Sequence, residues 1–300
     1  MDAWIPITIA AAAAQTLRFM LQKHLKSTAL TTTGATFARF VYSAPLVALL
    51  VLLYAQVSSQ SLPVMPGAFW AYALIGGLTQ ILATMCVVAL FAERNFAVGI
   101  TFKKTEVIQT AIVSYLVLGE GVSRAGLLAV VLGFVGVVIL SDAPGGVGRI
   151  WTRLMNRAAG LGLLSGVFFA ISAVGYRGAS TSLASGDVAL RAGFTLAVVT
   201  ASQTLAMLTW LVWRDRAQII AVARAWRIAG LVGLASMVGS FCWFAAFTLK
   251  NAAYVNTLGQ VELIFSIAAS VLFFRERISG RELLGMTILM ASILLLVLFI

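Results

Sequence analysis

The sequence predicts an all-α integral membrane protein, with ten transmembrane helices in two inverted five-helix repeats. Three observations carry that expectation. Hydrophobic residues make up 61% of the chain and charged residues 10%, against roughly 45–50% and about 25% in soluble domains, and the mean hydropathy is +1.01. The apolar residues gather into runs of about 20, the length a bilayer-spanning helix requires. Finally, the chain repeats itself. Displaced by 156 residues without a gap, the stretch from Trp70 to Leu140 falls on its own later sequence with about 19 identities in 71 positions. Trp70 meets Trp226, Gly77 Gly233, Cys86 Cys242, Phe91 Phe247, Asn95 Asn251, Thr101 Thr257, Glu106 Glu262, Ser114 Ser270, Glu120 Glu276 and Ser123 Ser279. Paired halves in a polytopic membrane protein suggest alternating access.

Taken in order, the apolar runs place spans at about 4–21, 37–55, 67–91, 96–118, 124–141, 158–176, 188–212, 227–248, 251–273 and 281–300. The segment DAPGGVGRIWTRLMNR, rich in glycine and arginine, divides a first repeat (1–145) from a second (158–300), with 146–157 as linker. Five spans is an odd number, so the second repeat enters the membrane upside down relative to the first. The loop charges agree. The loop between spans 2 and 3 has no Lys or Arg, whereas its counterpart between spans 7 and 8 has Arg214, Arg216, Arg224 and Arg227. The loop between spans 4 and 5 has only Arg124, and its counterpart has Arg275, Arg277 and Arg281. By the positive-inside bias, both termini are expected outside the cytoplasm. Residues 1–17 hold no Lys or Arg, so the basic region of a signal peptide is missing.

The net charge of +11 comes from single basic residues in short loops, which fits membrane topology rather than nucleic-acid binding. One histidine, His24, excludes a multi-histidine metal site, and the two cysteines sit inside apolar runs where packing is their expected role. A membrane-embedded enzyme would need clustered His, Asp or Cys near one face, and none is present. No enzyme activity, cofactor or metal is expected. The expected partners are a small-molecule substrate and the lipid bilayer, with protons or a counter-substrate as coupling species. No nucleic acid is expected, and the chain is read as a monomer or weak homodimer.

A charge inside a span costs several kcal/mol unless it is paired or faces water, which makes every such residue a functional candidate. Glu106 and Glu262 fall near the middle of their spans. Glu106, Thr110 and Ser114 share a helix face at i, i+4, i+8, as do Glu262, Ser266 and Ser270. Gln15, Arg18 and Gln22 form a stripe on the first span; Gln80 and Thr84 lie on the third; Ser236, Ser240 and Trp243 on the eighth; Asn256 and Gln260 on the ninth. The candidate substrate-binding set is Gln15, Arg18, Gln80, Thr84, Lys103, Glu106, Trp243, Asn256, Gln260 and Glu262, with the two glutamates expected to line one cavity. The alternative is that these groups only hydrogen-bond helix to helix. Lys103 is placed to pair with Glu106 at i, i+3 or to hold a ligand, while Lys104 is read as snorkelling to a polar boundary. Arg18, Lys103 and Lys104 outnumber the two glutamates, which favours an anionic or carboxylate-bearing ligand. Glu120 and Glu276 are read as turn residues, each ahead of a serine able to cap the next helix, and Arg39 and Arg191 as interfacial openings of spans 2 and 7.

These features resemble the drug/metabolite transporter superfamily, specifically its ten-span EamA-type members. The resemblance runs through both repeats: an Arg opening the second span of each (Arg39, Arg191), LGEGVS at 118–123, and FRERIS at 274–279, where Arg275 stands in place of the usual glycine. Members often carry a proline midway along spans 4 and 9, where this sequence has Val107 and Leu263. Many are placed with both termini in the cytoplasm, opposite to the loop charges here. The resemblance implies a secondary carrier, commonly an exporter of amino acids or related metabolites from the cell across an inner membrane, with a central site. The alternatives are exchange of phosphorylated or other anionic metabolites and proton-coupled efflux of multiple drugs or cationic compounds.

Overall fold

The computed structural model describes residues 3–109, 128, 131–133, 135–136, 139, 157–185, 187–250, 255–256 and 258–298. The expected span 124–141, the second half of the span 96–118, the LGEGVS junction, Thr110, Ser114, Arg124 and the linker lie wholly or largely outside them. Among the described residues every regular element is helical. These are α1 (Trp4–Thr28), α2 (Thr32–Val57), α3 (Gly67–Leu90), α4 (Phe96–Lys103), α5 (Arg157–Ser182), α6 (Val188–Arg214), α7 (Arg216–Arg224), α8 (Trp226–Leu249), α9 (Val261–Ala268) and α10 (Gly280–Leu298). A π-helical turn, Ala269–Phe273, follows α9 directly. Six of the helices, α1, α2, α3, α5, α6 and α8, are long and apolar enough to cross a membrane.

Helix ends follow local chemistry. Thr31 caps α2 by accepting from Gly34 N–H at 3.2 Å, which starts that helix five residues before its apolar run. Asp187 caps α6, accepting from Leu190 N–H at 2.8 Å. Ser279 caps α10 as the sequence suggests, in a reciprocal pair: Glu282 N–H donates to Ser279 Oγ at 3.2 Å and Ser279 N–H to Glu282 Oε2 at 2.9 Å.

Three expectations are corrected. The stretch 213–226, read as a connection, contains the amphipathic helix α7. The span 251–273 is not continuous, because the chain turns at Gly259 and Gln260 before α9 begins. The span beginning at 96 breaks in the same way: α4 ends at Lys103, residues 104–105 form a turn, and helical backbone resumes at Glu106. Lys104 and Gln260 coincide in the 156-residue register, so both copies interrupt the helix at the same place and without a proline.

The helices sort into two compact units, and each unit draws on both halves of the sequence. The first comprises Met1–Ile81 and Ile171–Glu262, the second Leu82–Ala170 and Leu263–Ile300. In the first, α1 packs on α8, and α2 lies against α6 and α8. Its core includes Val47, Val51, Phe69, Leu190, Leu196, Val199 and Phe244. Small residues set the helix spacing there. A Cβ added at Gly175 would stand 2.9 Å from Tyr72 O and 3.0 Å from Gly76 Cα, where α5 crosses α3. In the second unit, Phe102, Val107, Ile108, Ala159, Met286 and Leu289 form the core. Phe96, the first residue of α4, has its ring centroid 5.1 Å from that of Phe91 and 5.3 Å from that of Phe274.

Candidate functional site

The first unit holds a buried polar cluster built on α1. The spacing of Gln15, Arg18 and Gln22 puts them on one face, and all three are buried, Arg18 to 2% exposure. Gln22 fixes the stripe by donating from Nε2 to Ala35 O at 2.9 Å, and it receives Arg18 Nη1 at 2.7 Å. Gln15 Nε2 donates to Glu262 Oε2 at 3.0 Å, tying α1 to the start of α9. The Arg18 guanidinium lies 3.9 Å from the Phe19 ring centroid and within electrostatic reach of Arg39 and Glu262.

Arg39 is buried within the first unit. It lies in the second turn of α2 with only 3% exposure and donates to two serines of α8, Ser236 Oγ at 3.0 Å and Ser240 Oγ at 3.4 Å. Its place was hidden in the sequence because α2 starts at its Thr31 cap rather than at its apolar run. Arg191 remains in the first turn of α6, half-buried. The Tyr176 hydroxyl, near Arg39, receives Gln203 Nε2 at 3.2 Å; that amide also donates to Gly77 O at 2.9 Å. Neither Tyr176 nor Gln203 was singled out from the sequence, although an amide inside the apolar run 188–212 was the available signal.

The break before α9 shapes the rest of the cluster. Gly259 turns the chain against the Trp243 ring, leaving no room there for a Cβ. Asn256, ahead of the turn, and Gln260, within it, are both buried, and Gln260 Nε2 donates back to Asn256 O at 2.9 Å. Glu262 falls in the first turn of α9, fully buried. Among the described residues, the buried side-chain atoms of this cluster that lack a hydrogen-bond partner include Arg18 Nη2, Trp243 Nε1 and Gln260 Oε1. Of these three, two are donors and one is an acceptor. Leaving such groups unmatched costs about 1–3 kcal/mol each, so the cluster is suited to a ligand that presents an acceptor toward α1 and α8 and a donor toward the turn. Among the described residues, the buried charges of this unit are Arg18, Arg39 and Glu262, two cations against one carboxylate.

Of the remaining candidates, Gln80 accepts from Ser172 Oγ at 3.1 Å within the first unit, while Thr84, Lys103 and Glu106 belong to the second. Lys103 Nζ is 3.8 Å from Glu106 Oε1, with side-chain exposures of 2% and 11%, and 5.0 Å from the Phe169 ring centroid. The approach to Glu106 is the i, i+3 pair the spacing allows. Lys104 does not snorkel; it is 1% exposed. Glu276 acts structurally: it accepts from Phe96 N–H at 2.8 Å, serving as an anionic cap on α4, and also receives Ser270 Oγ.

The sequence model described as the EamA-like transporter family matches residues 2–142 and again 156–298. A solved structure described only as "Crystal structure of protein" matches with a TM-score of 0.63 at 13% identity, covering 98% of this chain and 95% of its own. That likeness is one of fold. No curated protein matches the sequence.

Proposed function

We propose, from the premise that this chain belongs to the EamA-like transporter family, that it is a secondary active transporter that exports a small carboxylate-bearing metabolite, of which amino acids are one class. The chain is a multi-pass membrane transporter by family, and the family is one of transporters rather than enzymes. The proposal adds the solute, the direction and the groups that hold the solute. Ten spans in two inverted five-helix repeats alternate access, and the substrate carboxylate docks on Arg18.

The observation that carries the reading is Arg18 itself. It is a buried guanidinium with one nitrogen unmatched among the described residues, in a cluster with more buried cations than carboxylates. An uncompensated buried cation is costly, and a carboxylate is its best geometric partner. Trp243 Nε1 supplies a second donor, while Gln260 Oε1 and Glu262 present oxygens to a donor such as an ammonium group. The interrupted backbone at Gly259–Gln260 supports the same location, because broken helices in transporters expose unpaired backbone groups where solutes bind.

The test is flux into proteoliposomes of purified protein, offered amino acids, dicarboxylates, phosphorylated metabolites and organic cations, with and without a pH gradient. Movement of carboxylate-bearing solutes is expected. Transport confined to cationic or uncharged compounds would overturn the proposal. Acceleration by the gradient would indicate proton coupling, and acceleration by internal solute would indicate exchange.

A further inference from the structure

The stretch from Trp210 to Arg227 contains four arginines, Arg214, Arg216, Arg224 and Arg227, against a single acidic residue, Asp215. All four are exposed, and among the described residues none of them forms an ion pair. Arg214 lies 5.9 Å and 5.3 Å from the ring centroids of Trp210 and Trp213, and Arg227 lies 5.7 Å from that of Trp226. These tryptophans are themselves 48%, 75% and 60% exposed. They flank α7, whose inner face is anchored: Val222 is buried, Tyr42 Oη donates to Val222 O at 3.2 Å, and Gln218 Oε1 accepts from Thr31 N–H at 2.9 Å. On the outer face, Ile220 is 55% exposed and sits one turn from Arg216 on one side and from Arg224 on the other. Beside it opens a groove of about 470 Å³ lined by Ala29, Ala217, Ile220, Ala221, Arg224 and Ala225.

We infer that this groove is a binding site for the headgroup of an anionic phospholipid. Arg224, with Arg216 a further two turns back along the same face, pairs with the lipid phosphate. Ile220 and the alanines take the glycerol and the first methylenes, and the exposed tryptophans sit at the headgroup level where amphipathic rings partition. Charge and shape favour the same ligand. A basic, aromatic-flanked helix at the end of two apolar spans matches the negative surface of a leaflet, where each Lys or Arg contributes about 1 kcal/mol. A soluble anion would satisfy the arginines but would leave Ile220 and the tryptophans in water.

Native mass spectrometry of the detergent-solubilised full chain tests this by titration with phosphatidylglycerol, phosphatidylcholine or glycerol 3-phosphate. Preferential retention of phosphatidylglycerol is expected, weakening as salt rises. Arg224→Gln should lower its affinity about five-fold, the equivalent of about 1 kcal/mol, and Arg224→Lys should keep most of it. Because Arg224 is exposed, both variants should fold, and an unchanged melting temperature without lipid verifies that. Equal retention of phosphatidylcholine would overturn the inference, as would equal binding of glycerol 3-phosphate, or wild-type affinity in Arg224→Gln.

Discussion

Arg275 shows how much a single residue can say about the repeat. Its counterpart in the first copy is Gly119, and its own φ is +53°, in the left-handed region that costs a side chain about 1–2 kcal/mol. Arg275→Gly should therefore raise stability. Glycine's greater freedom in the unfolded chain takes back roughly 0.5–1 kcal/mol, so the net gain is up to about 1.5 kcal/mol, read as a higher melting temperature in detergent. A lower one would show that the arginine side chain, exposed as it is, makes a contact worth more than the strain. Lys103 and Glu106 yield a second expectation at this scale. Removing one partner of a buried pair costs about 3–5 kcal/mol, so Lys103→Gln should be markedly destabilising. Combining it with Glu106→Gln should restore most of the loss. A double-mutant cycle with coupling below about 0.5 kcal/mol would mean that the two charges act independently.

Among the elements, α6 is held at its start by one carboxylate. Asp187 accepts from Leu190 N–H, from Tyr54 Oη at 2.8 Å and from Gln60 Nε2 at 3.0 Å. The N–H of Leu190 and the Tyr54 hydroxyl hold its carboxyl below the usual value. A depressed folded-state pKa contributes stability that is complete above the unfolded value of about 3.9 and is lost as pH falls below it. Asp187→Ala should cost about 1 kcal/mol at neutral pH, the usual loss of an N-cap, and the difference from wild type should shrink below about pH 4. A difference that does not change with pH would assign the loss to packing instead. The α3–α5 crossing is less forgiving. Gly175→Leu should destabilise strongly, because the obstacle is the Tyr72 carbonyl and Gly76 backbone, and a rotamer change cannot relieve it. Most helix positions were legible from the lengths of apolar runs, and the start of α10 from its Ser279 cap. The two helix breaks were not. Gly259 hints at one, but Lys104–Thr105 carries neither glycine nor proline, and a turn held by three-residue backbone bonds such as Thr105 N–H to Phe102 O has no local sequence signature. Helix α7 escaped for a related reason: nine residues with an arginine at each end read as a loop until Val222 is seen buried beneath it.

At the scale of the whole molecule, the membrane-spanning character was readable from composition and the repeat from the 156-residue register, while the family was readable from the resemblance carried by Arg39, Arg191, LGEGVS and FRERIS. The grouping of helices was not, because each compact unit combines segments from both repeats. The charged candidates divide accordingly: Arg18, Arg39 and Glu262 in one unit, Lys103, Lys104 and Glu106 in the other. Orientation follows from loop charge. Arg214, Arg216, Arg275 and Arg277 should be cytoplasmic and both termini external, so single cysteines at the termini should react with an impermeant thiol reagent in intact cells. Labelling only after permeabilisation would reverse the topology. The most direct measurement concerns Arg18. Binding of a transported carboxylate and of its neutral amide analogue should be compared on wild type and Arg18→Gln by calorimetry in detergent. A hydrogen bond to a charged partner is worth about 1.5–3 kcal/mol, so wild type should prefer the carboxylate by about 10- to 150-fold. Arg18→Gln, still folded, should lose that preference. An undiminished preference in Arg18→Gln, or full carboxylate transport by it, would contradict the assignment of Arg18 as the anion anchor.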